Sequence, residues 1–237
     1  MLQLCFFMPM QLQDCLHDSF LLMTVPEIIA VITGIMSVWY AKKESILVYP
    51  VGIISVLLYV YICLEVKLYA DAGINFYYFI VSLYGWYYWK HGGKMQHPEL
   101  NRSGQEIDSG LLNADSNITY KEEAEITYNK LSVNLLYLFA AFLLGGLIGY
   151  LLDTYTDSVV PYWDGITTAL FFIAMILMAQ KKIEHWIFWI MGDAICIPLF
   201  FSKGLCLSSF QYCIFTLLAF AGFISWYRKL QNKLVLK

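Results

Sequence analysis

The stretch that decides the fold is LSVNLLYLFAAFLLGGLIGYLL, residues 131–152, which contains no Asp, Glu, Lys or Arg. At about 1.5 Å per residue, a helix of this length crosses the roughly 30 Å hydrocarbon core of a bilayer. A membrane β-strand needs alternating polar and apolar positions, and this stretch has no such alternation. It therefore predicts a transmembrane α-helix.

Similar apolar stretches recur along the whole chain of 237 residues. Hydrophobic residues make up 59% of the sequence and charged residues only 14%, which is too few charges to cover a soluble protein. The pattern predicts an all-α integral membrane protein. Its seven predicted transmembrane helices are residues 26–41, 46–64, 72–89, 131–152, 163–179, 186–201 and 208–227.

The positive charges predict the orientation of these helices. If the carboxyl end is cytoplasmic, only Lys67 and Lys203 of the 15 Lys and Arg residues lie outside. The amino terminus is then outside. Residues 1–25 lack the basic region of a secretory signal, so we interpret them as an extracytoplasmic segment or an over-long gene start. The net charge of −3 gives no argument for binding nucleic acid or an acidic ligand.

An internal repeat is indicated on either side of residues 91–130. Those residues are rich in Gly, Asn, Ser and charges, and they predict a cytoplasmic linker with a short amphipathic helix from Tyr120 onward. A shift of 137 residues places Gly222 on Gly85 and Trp226 on Trp89. We predict two three-helix units of the same orientation, residues 26–90 and 153–237 with its cytoplasmic tail, joined by the helix at 131–152. The alternative is that aromatic-rich membrane helices resemble one another by composition alone.

The run HWIFWIMGDAICI, residues 185–197, contains the first candidate binding residues. Trp186, Trp189 and Asp193 are spaced i, i+3 and i+7, which places them on one face of a helix. A mid-membrane Asp costs about 2.5–3.5 kcal/mol even on translocon-based scales, so Asp193 is expected to face a polar cavity or a partner. Two indole rings beside a carboxylate predict a site for a flat, cationic aromatic ligand. The alternatives are an interfacial position for Trp186 and a bond from Asp193 to a neighbouring helix.

Further polar side chains lie at mid-depth on two other predicted spans. Asn75, Tyr78 and Ser82 form a stripe on the third span, and Gln211 and Tyr212 occupy the equivalent face of the seventh. Their amides and hydroxyls would match the hydroxyls of a sugar-like group. The same residue types also hold packed membrane helices together, which is the alternative interpretation.

Motifs for catalysis or energy input are absent from the sequence. There is no Gly-rich phosphate loop, no HExxH and no GxSxG. The six cysteines show no CxxC spacing and no cluster with histidine, so we interpret them as apolar packing residues. We therefore predict no enzyme activity, no cofactor, no metal and passive movement of a substrate.

The runs LYADAGINFYYFIVSLYGWYYWK, PYWDGITTALFFIAMILMAQKKIEHWIFWIMGDA and FISWYRK resemble the PnuC family of bacterial vitamin transporters, over residues 26–229. The resemblance implies two parallel three-helix units, similar to SWEET-type sugar transporters, in a homotrimer in the bacterial inner membrane. It implies that Trp186, Trp189, Asp193, Asn75 and Tyr78 border the substrate. The expected function is facilitated diffusion of nicotinamide riboside for NAD biosynthesis, with trapping by a separate cytoplasmic kinase.

The resemblance leaves the vitamin open, because similar proteins carry thiamine or riboflavin. Thiamine is also a flat cation with a hydroxyl, whereas riboflavin is uncharged and larger, which argues mildly against it. An alternative of another class is a membrane sensor or scaffold that binds without transporting. That alternative requires an attached signalling domain, and residues 91–130 are too short and too polar for one.

Overall fold

A computed structural model of the chain describes residues 24–65, 67–92, 124–203 and 206–235. Within these ranges seven α-helices follow one another, and they confirm the seven predicted spans with different ends. The helices are α1 Val25–Lys42, α2 Val48–Glu65, α3 Tyr69–His91, α4 Leu131–Tyr155, α5 Pro161–Ala179, α6 His185–Ser202 and α7 Cys206–Val235. The predicted outer segment and most of the predicted linker lie outside the described residues.

Six of these helices, all except α3, are long and apolar enough to cross a membrane. The 23 residues of α3 also have the necessary length, at about 1.5 Å per residue. Its hydropathy is lower because it is rich in tyrosine and tryptophan, whose rings are apolar but whose tips are polar. The chain is a multi-pass helical membrane protein.

The helix α5 is the most enclosed element of the described chain, and it packs against α3, α4 and α6. It contacts α4 closely through Gly165, where a Cβ would collide with the α4 backbone at Gly145 and Gly149. Among the described helices, α4 packs against α5 alone. The role of α4 as the connection between two units stays a prediction.

Matched hydrogen bonds join the two predicted units. The indole nitrogen of Trp89 donates to the carbonyl oxygen of Met178 at 3.0 Å, and that of Trp226 donates to Ala41 at 2.9 Å. Trp89 and Trp226 are 137 residues apart, and so are Ala41 and Met178. The shift seen in the sequence therefore recurs in contacts that run in both directions between the units.

The rings around these tryptophans repeat in the same way. Tyr49 meets Trp89 edge to face, with ring centroids 5.2 Å apart, and Trp186 meets Trp226 edge to face at 5.8 Å. Tyr49 and Trp186 are also 137 residues apart, and they pack against Gly85 and Gly222 respectively. These contacts support the predicted repeat, while the likeness to SWEET-type transporters stays a prediction.

Two expectations are wrong. Residues 124–130 are not helical, because their backbone pairs with the turn between α5 and α6: Thr127 donates to Lys181 at 3.2 Å and accepts from Ile183 at 3.0 Å. The remainder of the amphipathic helix predicted from Tyr120 lies outside the described residues. Cys206 is disulfide-bonded, so it is not merely an apolar packing residue.

Candidate functional site

Asp193 lies in the middle of α6 and is buried inside the helix bundle, with 2% of its surface exposed. Within the described part of the chain its carboxylate accepts no hydrogen bond and forms no ion pair. A bond to a neighbouring helix, which was one alternative from the sequence, is therefore not found there. A buried carboxylate without a partner is costly, so a positively charged or hydrogen-bonding ligand is the natural complement of this position.

Aromatic rings from three helices stack beside Asp193. Trp189 of α6 stacks on Phe171 of α5, with ring centroids 5.1 Å apart. The rings of Phe171 and Tyr212 of α7 are parallel, with centroids 6.2 Å apart and an interplanar angle of 2°. We call Trp189, Phe171 and Tyr212 the aromatic wall. Gly192, next to Asp193, makes the wall possible because any Cβ there would collide with the Phe171 ring.

The first unit reaches this position through Tyr78 of α3. Its ring meets Phe172 of α5 edge to face, with centroids 5.9 Å apart. Tyr78 also lies near Tyr212 and Cys196. The structure thus brings Tyr78, Asp193 and Tyr212 together from three different helices.

Hydrogen-bonding groups complete one side of the site. The Cys196 thiol, one turn after Asp193, lies near the side-chain hydroxyls of Tyr212 and Thr167. Tyr212 and Cys196 both lie near Asp193. The site therefore combines one carboxylate, a stack of aromatic rings and a few neutral hydrogen-bonding groups, which suits a flat cation that carries hydroxyls.

Trp186 is not brought to the aromatic wall. Its ring is buried in a separate cluster, where its centroid lies 4.4 Å from that of the His185 ring and 5.8 Å from that of the Trp226 ring. Its indole nitrogen has no hydrogen-bond partner among the residues that the structure describes. The structure places Trp186 in the packing between α6 and α7, and its role in binding stays a prediction.

Three other predicted residues have separate surroundings. Asn75 donates to the carbonyl oxygen of Asp71, one turn earlier in α3, at 2.9 Å. Gln211 lies near Tyr59 of α2, and Ser82 is buried in α3. None of these contacts reaches Asp193, so the three residues do not form one site with it.

The sequence interpretation missed the contribution of α5. Phe171 and Phe172 supply the rings between Trp189, Tyr212 and Tyr78, and Thr167 lies near Cys196. Residues 169–179 of this helix are all apolar, so no periodicity distinguishes the phenylalanines that face the site from the rest. The one usable signal was Gly192 on α6, because a glycine within a helix leaves room for a bulky residue of a neighbouring helix.

A model of the family described as nicotinamide mononucleotide transporters matches residues 24–228. The chain belongs to this family. The match confirms the resemblance seen in the sequence, and it agrees with a transporter rather than an enzyme.

Curated members resemble the chain over most of its length. The nicotinamide riboside transporter PnuC of Escherichia coli (strain K12) is 25% identical over 207 residues, which are 84% of this chain and 84% of that protein. The protein of the same name from Neisseria mucosa is 27% identical over 173 residues, 72% of this chain and 57% of that protein. The riboflavin/roseoflavin transporter RibM of Streptomyces davaonensis is 32% identical over 69 residues, 27% of this chain and 32% of that protein.

A solved structure has the same fold. The crystal structure of the vitamin B3 transporter PnuC superposes with a TM-score of 0.64 at 23% sequence identity, covering 95% of this chain and 92% of that one. The seven-helix architecture of this family member is therefore that of a known membrane transporter.

Proposed function

We propose that this protein carries nicotinamide riboside across the bacterial inner membrane by facilitated diffusion, with a separate cytoplasmic kinase trapping the product. The observation that carries the proposal is the buried, unpaired carboxylate of Asp193 beside the aromatic wall. The nicotinamide ring of the riboside is a flat cation. It supplies the charge that Asp193 lacks and a plane that stacks on aromatic rings.

The same geometry favours the riboside over the mononucleotide named in the family description. A phosphate adds about −1.5 to −2 charges at neutral pH, which the Asp193 carboxylate repels. The ionisable groups near Asp193, namely Tyr212 and Cys196, carry no positive charge to offset it. Lys181, a buried cation elsewhere in the bundle, is already paired with Glu44.

Thiamine is the first alternative substrate, because it too is a flat cation with a hydroxyl. Riboflavin is less favoured, since an uncharged ring leaves Asp193 unpaired, although one relative that matches 69 residues is named as a riboflavin transporter. Within the site we assign charge pairing to Asp193 and stacking to Trp189, Tyr212 and Tyr78. We further propose that Trp186, Asn75, Ser82 and Gln211 border the path on either side.

The proposed orientation has a cytoplasmic carboxyl end and an outer amino terminus. The distribution of Lys and Arg supports it. The disulfide of Cys206 also supports it, because disulfides form in oxidising compartments and Cys206 begins α7 at the end proposed to be outside. The division into residues 1–25, 26–90, 91–130, 131–152 and 153–237, and assembly as a homotrimer, remain proposals that rest on the sequence and its resemblance.

The test is uptake by the purified protein in liposomes. Labelled nicotinamide riboside, nicotinamide mononucleotide, thiamine and riboflavin are offered separately, without ATP or an ion gradient. We expect the riboside alone to equilibrate across the membrane faster than in protein-free liposomes. Movement of thiamine with no movement of the riboside would overturn the proposed substrate.

A further inference from the structure

The two units are closed against each other at the end of the bundle that we propose to be cytoplasmic, called the inner end below. The rings of Trp89 and Trp226, one from each unit, lie 5.9 Å apart. Each indole also donates a hydrogen bond to the backbone of the other unit, at Met178 and Ala41. A substrate that leaves by this end must separate these contacts.

A buried ion pair reinforces the closure. Lys181, in the turn between α5 and α6, lies 2.8 Å from Glu44, in the turn between α1 and α2, and only 3% of its side chain is exposed. Its ammonium group lies 4.7 Å from the centre of the Trp89 ring. Lys229 of α7 makes a second ion pair with Glu44 at 2.8 Å.

Residues 124–129, which we call the strap, tie both units together across this closure. The amide of Ala124 donates to Trp89 of the first unit at 3.1 Å, and its carbonyl oxygen accepts from the Lys181 ammonium group at 2.6 Å. Thr127 pairs with Lys181 and Ile183 of the second unit. The amide of Asn129 donates to the Glu184 carboxylate at 2.6 Å.

The strap also contributes to the core of the closure. Ile126 is only 9% exposed and belongs to the same buried cluster as Trp89, Trp186 and Trp226. Tyr128, two residues later, is 66% exposed. Ile126 is therefore an anchor in the inner end, whereas Tyr128 provides a neighbouring position outside it.

We propose that the strap is the lock of an inner gate, and that the gate opens only when the strap leaves the turn between α5 and α6. Lys181 couples the two events, because the same ammonium group holds Glu44 of the first unit and Ala124 of the strap. Release of the strap removes one of the two oxygen partners of a buried cation, which weakens its hold on the closure. The inference deepens the proposed transport function by naming its control, and it rests on that function.

The lock is tested in the full chain by fastening the strap. Thr127 and Lys182 form a backbone bridge, so the double variant Thr127→Cys with Lys182→Cys places two cysteines side by side for a disulfide. In liposomes, oxidation with copper-phenanthroline is expected to abolish counterflow of labelled riboside, and reduction to restore it. The unmodified protein and each single variant, treated in the same way, are expected to keep their counterflow.

Mass spectrometry of the oxidised double variant measures the extent of the cross-link. Complete cross-linking with counterflow equal to that of the unmodified protein would overturn the lock. If the unmodified protein moves no riboside at all, the substrate proposal fails, and that result is recognised before any cysteine is introduced.

A second measurement needs no substrate. Thr127→Pro removes the amide that donates to Lys181, whereas Tyr128→Pro makes the same change at an amide outside these bonds. We expect Thr127→Pro to speed hydrogen exchange at residues 181–184 and also at residues 43–46 of the first unit, while Tyr128→Pro changes neither turn. Faster exchange confined to residues 181–184 would show a local packing role and refute the lock.

Discussion

A single carboxylate determines what the proposed path can hold. Asp193 is enclosed by the bundle, and the ionisable groups near it include a tyrosine and a thiol. An apolar path needs no such residue, and a path for anions could not tolerate it. The charge therefore selects for a cation, and the rings beside it select for a flat one.

Asp193→Asn keeps the shape of the side chain and removes its charge. We expect riboside binding to weaken by about 2 kcal/mol or more, roughly 30-fold in Kd, because the cation loses its counter-charge. The free energy of unfolding is expected to rise or stay unchanged, since an unpaired buried charge is removed. A binding titration and a thermal melt of the purified protein measure the two effects.

The matched control for this change is Asp157→Asn, at an exposed carboxylate in the loop between α4 and α5. It should leave both binding and melting unchanged. Equal affinity of the Asp193→Asn variant and the unmodified protein for the riboside would show that Asp193 is not part of the site.

The pKa of Glu44 predicts how the stability of the closure depends on pH. Burial raises the pKa of its carboxyl, but the hydrogen bonds and charges of Lys181 and Lys229 outweigh this effect, so the pKa lies below its ordinary value of 4.5. Its contribution to stability is present above pH 4.5 and is lost as the pH falls through the lowered pKa. At neutral pH, Glu44→Gln should cost about 3 kcal/mol of unfolding free energy, because Lys181 stays buried without its counter-ion.

The measurement for Glu44 is the melting temperature as a function of pH. The unmodified protein should lose stability below pH 4.5, and the Glu44→Gln variant should lose less over the same interval. Parallel curves for the two proteins would contradict the assignment.

The candidate site could be predicted only in part from single residues. Asp193 and Trp189 are recognisable because a carboxylate and an indole are unusual inside an apolar run. Phe171 and Phe172 are not, because nothing in an apolar helix marks which phenylalanine faces a neighbour. The surroundings of Trp186 follow from Gly222, far away in the sequence, which leaves room for its ring.

At the level of the helices, close approach between α5 and α6 controls the aromatic wall. Gly192→Ala would place a methyl group where the Phe171 ring lies. We expect this overpacking to cost about 1–3 kcal/mol of stability and to weaken riboside binding, since Phe171 stacks between Trp189 and Tyr212. Thermal melting and a binding titration measure both effects.

Gly146→Ala in α4 is the matched control, because nothing lies within 4 Å of a Cβ at that position. It should raise stability by about 0.5–1 kcal/mol and leave binding unchanged, as expected for an unobstructed helical glycine. The same effect from both substitutions would show that Phe171 is free to move aside.

The helices themselves follow directly from runs of apolar residues, because a bilayer requires each span to satisfy its own backbone hydrogen bonds. The extended conformation of the strap cannot be predicted in this way, because its backbone hydrogen bonds are not local. Its backbone is satisfied by Trp89, Lys181, Ile183 and Glu184, which are distant in the sequence. Local propensity therefore predicts a helix where tertiary pairing produces an extended segment.

For the whole molecule, the orientation in the membrane is open to a direct test. Val159, in the loop between α4 and α5, and Tyr128, in the strap, are both exposed and belong to opposite ends of the bundle. We expect a membrane-impermeant maleimide to label Val159→Cys in intact cells and Tyr128→Cys only after the cells are opened. The unmodified protein gives the background from the native cysteines, and the reverse pattern would invert the orientation.

The internal repeat is most evident when the whole molecule is considered. The sequence contains few identities at a shift of 137, because repeated units diverge wherever their neighbours differ. Two of the identities that remain make matched contacts: Trp89 and Trp226 each bond the other unit, and Gly85 and Gly222 each pack against a ring of their own unit. The internal repeat is therefore clearer in these contacts than in the residue identities.

The pairing of Glu44 with Lys181 shows how far the units have diverged. The two residues are also 137 apart and share a left-handed backbone, with φ of 60° and 57°, yet their charges are opposite. A pairing of the first half with a second copy of itself would bring two carboxylates together, and a pairing of two second halves would bring two ammonium groups together. Like charges at such a separation repel, so each half is suited to the other and not to its own duplicate.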